Sequence, residues 1–200
     1  MATATARAGD DRVTTRDVED DQRAWTDPAR LEVIVGSVRA GRFAPVVANW
    51  FVRQASARAD LRVGVLDLAE NPPGFAERIG AADAVVVITP EYNHGYPGPL
   101  KHAIDEVRSQ WRAKPVGFVS YGGLAGGLRA VEPLRVVFAE LHAVTVRETV
   151  SFHMAHQGFD ANGEPHDTDG PAMAATALLN QLVWWARALR AARARQPYGG

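Results

Sequence analysis

The sequence predicts an α/β domain: five parallel strands in the doubly wound order 2-1-3-4-5, with helices on both faces of the sheet. Three observations carry this. From Leu31 onward, β-rich runs alternate with runs of helical spacing, the pattern that builds a parallel sheet. The run Ala84-Val85-Val86-Val87-Ile88 is apolar at every position, so both faces of that strand must be covered. Two loops of unusual composition, GSVRAGRFA (36–44) and TPEYNHGYPG (89–98), follow strands 1 and 3. In this strand order the chain reverses across the sheet between strands 1 and 3, so both loops meet in one crevice at the strands' carboxyl ends.

Taken in order, LEVIVGS (31–37) is a short β-rich run that ends in glycine and serine. Pro45 to Ala57 has helical spacing, with Val47 and then Trp50 or Phe51 on one side. RVGVLDL (62–68) is strand 2. Ala69 to Asp83 is a short connection holding Asn71-Pro72-Pro73-Gly74, and AVVVIT (84–89) is strand 3. Leu100, Ala103, Ile104 and Val107 share one helical face, with Gly98 and Pro99 as start signals. KPVGFVSY (114–121) is strand 4. Leu128 to Leu141 reads as a helix in which Pro133 must lie near the first turn or cause a kink. AVTVRETVSF (143–152) is strand 5. Met173 to Arg195 is the last helix, with Leu178, Leu182, Trp185 and Leu189 as its apolar stripe. Its four arginines complement the C-terminal dipole.

The chain has 200 residues, 46% of them hydrophobic, enough for one full core and a tail. Residues 1–29 mix acids and bases with almost no large apolar side chain except Trp25. They read as a disordered or loosely attached extension, or alternatively a docking arm, ahead of one domain over 30–196. Net charge is −1, so nothing in the charge balance calls for nucleic acid or an anionic membrane. With no cysteine, disulfides, thiolate zinc sites, cysteine-ligated iron–sulfur clusters and a cysteine nucleophile are excluded. No apolar run is long enough to span a bilayer, and the first residues lack the apolar core of a secretory signal. A soluble cytoplasmic protein is the expectation. Trp111 and the run Val183-Trp184-Trp185 are more apolar than an exposed surface should carry, which predicts at least a dimer.

The loop 36–44 joins a strand to a helix, where free backbone N–H groups attract an anion. Ser37 adds a hydroxyl, and Arg39 and Arg42 add forked donors suited to phosphate. The spacing matches neither GxxxxGK[ST] nor GxGxxG, and an ordinary βα turn with two surface arginines is the alternative reading. Gly122-Gly123-Leu124-Ala125-Gly126-Gly127 also fails GxGxxG. His153, His156, His166, Asp167 and Asp169 fall in a turn-rich segment and read as an exposed polar loop, with no metal expected. His94 reads as loop packing or solvent exposure, with proton donation as the alternative. No Ser-His-Asp order and no paired carboxylates are present, so no catalytic side chain is assigned.

The segments GSVRAGRFA, TPEYNHGYPGPLKHAIDEV and VSYGGLAGGLRAVEPLR resemble the NADPH-dependent FMN reductase family. Its members share a flavodoxin-like fold and include quinone, azo-dye and chromate reductases. The resemblance runs from about Leu31 to Phe152, with a family-like last helix. It implies bound FMN, NADPH or NADH as co-substrate, and hydride transfer at the flavin N5. It implies a small acceptor (quinone, azo compound, metal oxyanion or free flavin) and a homodimer or homotetramer. Ser37, Arg39 and Arg42 would hold the FMN phosphate, with Phe43 and Ala44 completing that loop. Pro90, Glu91, Tyr92 and Asn93 would wrap the isoalloxazine, largely through backbone groups, while Ser120, Tyr121, Gly122 and Gly123 would flank it. Relatives often carry a longer connection than 69–83, which bears on substrate choice, and they continue a helix where Pro133 falls. The residues agree with a flat, polar-rimmed ring: proline and glycine give a stiff, unobstructed backbone, and Tyr92 and Tyr96 give flat surface. Core packing of the tyrosines is the alternative, and Glu91 reads best as a salt bridge that fixes its loop. Two rival functions remain: a one-electron flavodoxin-type carrier, which the weak charge disfavours, and a non-catalytic flavin-binding regulator.

Overall fold

The computed structural model describes residue 22 and residues 25–199. The expected extension over 1–29 therefore lies mostly outside the described residues. Five strands form one parallel sheet: β1 (Ala29–Val35), β2 (Leu61–Asp67), β3 (Ala84–Pro90), β4 (Pro115–Tyr121) and β5 (Val144–Phe152). Their order is β2-β1-β3-β4-β5, as the alternation predicts. The helices are α1 (Ala44–Ser56), α2 (Phe75–Ala81), α3 (Gly98–Asp105), α4 (Leu128–Glu140) and α5 (Asp169–Arg195). The side chains of α1 and α5 build the core on one face of the sheet, and those of α2, α3 and α4 build it on the other. β3 and β4 are buried along their whole length, which is why their sequences do not alternate. No helix among the described residues is long and apolar enough to cross a membrane.

The register sets where the loops emerge. Val35 pairs with Asp67 on one side and with Ile88 on the other. Pro90 pairs with Tyr121, and Tyr121 with Phe152. Residues 36 and 68 therefore leave the sheet side by side, as do 91, 122 and 153 two residues further along, all at its carboxyl edge.

Several boundaries differ from the sequence expectation, each for a local reason. β1 begins two residues earlier, because Ala29 N–H donates to Asp60 O and Arg30 N–H to Asp83 Oδ2, both at 2.9 Å. The connection after β2 contains a seven-residue helix, α2, entered through Asn71 and Gly74 in left-handed conformations. α5 starts at Asp169 rather than Met173. Pro171 sits in its first turn, where the missing N–H costs nothing, and Asp167 Oδ1 accepts the Gly170 N–H at 3.1 Å. Pro133 is the sixth residue of α4, and the helix runs on to Glu140.

The apolar face expected at Trp111 and 183–185 is corrected. Trp111 is fully buried, T-shaped against Phe138 at 5.1 Å, and its Nε1–H donates to Ile104 O at 3.0 Å. Val183 is buried and Trp185 packs on the core, which leaves Trp184 as the exposed member. Gly117 lets α5 sit close on the sheet: a Cβ there would lie 2.7 Å from Leu178 Cδ1. At the sheet end away from the crevice, buried Lys114 Nζ donates to the carbonyls of Ile79 (2.7 Å) and Ala82, tying the end of α2 to β4.

Candidate functional site

The loop between β1 and α1 is stiffly held at its start. Gly36 N–H donates to Ile88 O at 2.9 Å, and a Cβ on Gly36 would meet Leu100 at 3.0 Å and the Ile88 carbonyl at 3.2 Å. Ser37 is fully buried, and its Oγ lies 2.7 Å from Tyr92 Oη. The Arg39 guanidinium stacks 3.5 Å over the Tyr92 ring, a cation–π contact that leaves its in-plane N–H edge open. Arg42 is placed differently. It makes a two-pronged pair with Asp67, Nη1 to Oδ1 and Nη2 to Oδ2 at 2.7 Å each, and Nη1 also donates to Ser37 O at 2.5 Å. Its charge is thereby offset and its donors occupied, so it braces the loop from within. Asp67 is the residue that sequence reasoning missed; its place at the end of the strand beside β1 was the available signal.

Apart from Arg42, whose N–H closes a turn over residues 40–41, the backbone N–H groups from Ser37 to Ala44 have no acceptor among the described residues. Phe43 caps α1 without a side-chain bond and packs inward, 6.2 Å from Tyr121 and 5.4 Å from Phe159. Ala44 is buried in the core. Both contribute backbone here.

The loop after β3 is a tight reversal. Tyr92 and Gly95 exchange backbone hydrogen bonds at 2.8 and 3.1 Å, with Asn93 and His94 at φ 51° and 69° between them. Two positive φ values at the centre of a two-residue turn match the hairpin geometry in which asparagine is favoured. Glu91 N–H donates to Tyr121 O at 3.1 Å. Its carboxylate pairs with Arg129 of α4 at 3.2 Å, and Arg129 Nη1 also lies 3.0 Å from His94 Nε2. Glu91 is thus a salt bridge that fixes the loop, and its Oε2 is buried without a partner. Tyr92 faces the Ser37 loop, and Tyr96 packs against the core below α3.

At the end of β4, Ser120 is fully buried and its Oγ donates to Gly126 O at 2.8 Å, so it holds the glycine loop rather than facing the crevice. Tyr121 is buried, yet its Oη has no hydrogen-bond partner. Burial pushes its phenol pKa well up, and the neighbouring Tyr92 adds to this. Gly122 lies against Glu91, while a Cβ on Gly123 would meet nothing within 4 Å. Ser37, Arg39, Tyr92 and Tyr121 therefore converge, with Gly122 and Gly123 opening beside them. Among the described residues no three His, Asp or Glu side chains gather as a metal site. His153 turns toward the Leu124 carbonyl at 2.8 Å, and His156 lies 4.7 Å from the Phe43 ring.

These features suit FMN. A run of unaccepted N–H groups, a buried hydroxyl and an open guanidinium edge match a phosphate. An orphaned buried phenol asks for a ligand acceptor.

The family described as NADPH-dependent FMN reductase matches residues 29–157, a span that contains all three loops. The chain belongs to that family. An NAD(P)H-dependent FMN reductase of Schizosaccharomyces pombe is 33% identical over 49% of this chain and 60% of its own length. An FMN-dependent NADPH-azoreductase of Staphylococcus haemolyticus is 32% identical over 76% of this chain and 92% of its own. A quinone reductase of Pseudomonas putida is 32% identical over 80% and 96%. Among solved structures, the flavoenzyme NAD(P)H:acceptor oxidoreductase FerB of Paracoccus denitrificans superposes with a TM-score of 0.64 at 22% identity. It covers 80% of this chain and 98% of that one, and a flavodoxin of Pseudomonas aeruginosa superposes with a TM-score of 0.54 at 20% identity over 79% of this chain and 99% of its own, so the fold is flavodoxin-like.

Proposed function

We propose that this NADPH-dependent FMN reductase family member is an FMN-dependent NAD(P)H oxidoreductase that delivers two electrons to a small acceptor of the quinone or azo type. The observation that carries the reading is the loop 37–44, whose N–H groups, Arg42 apart, lack acceptors and which faces the Tyr92 turn across one crevice. Family membership supports FMN as the ligand of that crevice. The relatives named for azo compounds and quinones support the acceptor class.

In this reading Ser37, Arg39 and the N–H groups through Phe43 and Ala44 hold the phosphate. Arg42 acts at one remove, because Asp67 occupies its fork. Pro90 to Asn93 would present the backbone of their hydrogen-bonded turn to the ring. Tyr121, Gly122 and Gly123 line the opposite side, with Ser120 beneath them. Bound FMN supplies the redox chemistry, taking a hydride from NAD(P)H and returning two electrons to the acceptor. The chain's own task is to bind, orient and exclude water; no side chain is asked to move a proton. The test is whether the loaded protein is reduced by NADPH or NADH and reoxidised by a quinone.

Self-association, as a dimer or tetramer, belongs to the same reading. With Trp111 buried, the exposed apolar side chains that support it are Val38, Leu124, Leu128 and Met154, all on loops or helix starts around the crevice. Light scattering at micromolar protein should return a multiple of 21.6 kDa, and the monomer mass would contradict it.

A further inference from the structure

In the glycine loop 122–127 all six carbonyls are hydrogen-bonded, but only two of the six N–H groups are, Gly122 to Phe152 O and Gly126 to Gly123 O, both at 3.1 Å. Each carbonyl accepts from a named donor. Gly122 O receives the Ala155 N–H at 3.0 Å and Gly123 O the Met154 N–H at 2.9 Å. Leu124 O lies 2.8 Å from His153 Nδ1, which must carry the proton because a carbonyl only accepts. Ala125 O receives the Leu128 N–H at 3.0 Å. Gly126 O receives two hydroxyls, Ser120 at 2.8 Å and Ser151 at 2.9 Å. Gly127 O receives Ala130 and Val131 N–H groups of α4. The N–H groups of Gly123, Leu124, Ala125 and Gly127, in contrast, have no acceptor among the described residues. The C=O and N–H of one peptide plane point in opposite directions, so holding the carbonyls of Gly122, Gly123, Leu124 and Gly126 toward 151–155 turns the N–H groups of Gly123, Leu124, Ala125 and Gly127 the other way.

We propose that Ser151 and His153 are positioning residues that hold this loop as a row of N–H donors for the carbonyl-bearing edge of the ligand ring. The inference rests on the reading of the crevice as an FMN site. Two features make the brace specific. Side chains supply it at Leu124 and Gly126, whose carbonyls receive no backbone N–H. And no bulkier residue fits there: a Cβ on Gly126 would lie 2.4 Å from Ser151 Oγ and 2.8 Å from His153 Nε2. Nothing about His153 in the sequence marks it out from the polar loop that follows.

The experiment compares wild type with His153→Ala, His153→Asn and Ser151→Ala. Asparagine keeps an N–H donor near the Nδ1 position, so it separates the hydrogen bond from the ring. Two quantities are read: dissociation constants for FMN and riboflavin by fluorescence quenching, and amide hydrogen exchange in the flavin-free protein at Gly126, Met154 and Ala155, whose N–H groups bond to the loop's carbonyls. His153→Ala and Ser151→Ala should each weaken FMN and riboflavin by the same factor, about tenfold, the scale of one hydrogen bond. Exchange at Gly126, Met154 and Ala155 should accelerate in both, and His153→Asn should stay within about twofold of wild type, a change of under half a hydrogen bond. Unchanged exchange and unchanged flavin binding in His153→Ala would overturn the brace, as would an asparagine variant no better than alanine. A wild type that binds neither flavin would overturn the proposed function instead, and the exchange data keep the two failures apart.

Discussion

Replacing Arg39 with alanine weakens FMN binding by about 1.5–3 kcal/mol, the range for a hydrogen bond to a charged group. Riboflavin, which lacks the phosphate, loses much less. The difference between the two ligands is the informative quantity. Arg39 also stacks on the Tyr92 ring at 3.5 Å, and losing an exposed contact of that kind costs about 0.5–1 kcal/mol. That smaller loss loosens the Tyr92 turn and falls on both ligands alike. Isothermal titration of apo-protein with each flavin separates them. Equal losses for FMN and riboflavin would mean that Arg39 supports the turn and holds no phosphate.

Gly127→Ala should lower stability by about 3 kcal/mol. The backbone there has φ +86°, a conformation that costs an L-residue about 1–2 kcal/mol. The added Cβ would lie 2.7 Å from Ser120 Cβ, 2.8 Å from Tyr121 N and 3.0 Å from Tyr121 O. Backbone atoms at the end of a central buried strand cannot give way cheaply, and overpacking of this kind costs about 1–3 kcal/mol. Gly123→Ala is the matched control. Nothing lies within 4 Å of its Cβ position, so its effect should stay within about 0.5 kcal/mol. Urea unfolding of the three proteins reads both values. Equal midpoints for Gly127→Ala and wild type would show that the loop does not pack on β4 as described.

Much of this architecture is legible in the residues. The unbroken apolar run at 84–88 requires a central strand, and alternation with helical runs requires a parallel sheet. The crevice follows from strand order alone. What escaped is decided by register and by distant partners. Asp67 meets Arg42 only because β2 lies beside β1 with Asp67 opposite Val35, a pairing that shows only when the strand order is laid out. Ser120 reads as a crevice residue from its place at the strand end, but strand geometry turns its hydroxyl to Gly126. Trp111 reads as surface because it follows a helix, until its indole N–H is seen to reach Ile104 O. α2 was hidden by Asn71-Pro72-Pro73-Gly74, which forms the entry to the helix rather than a bare loop.

The central claim is that one FMN, held in the crevice at the ends of β1, β3 and β4, mediates between NAD(P)H and a small acceptor. It is tested most directly by following the flavin absorbance of the FMN-loaded protein without oxygen, first on adding NADPH or NADH and then on adding a quinone. The account predicts that one equivalent of one of the nucleotides bleaches the flavin and that one equivalent of quinone restores the colour. A protein that binds FMN tightly, yet whose absorbance neither NADPH nor NADH changes, would contradict it and identify a flavin-binding protein without reductase activity.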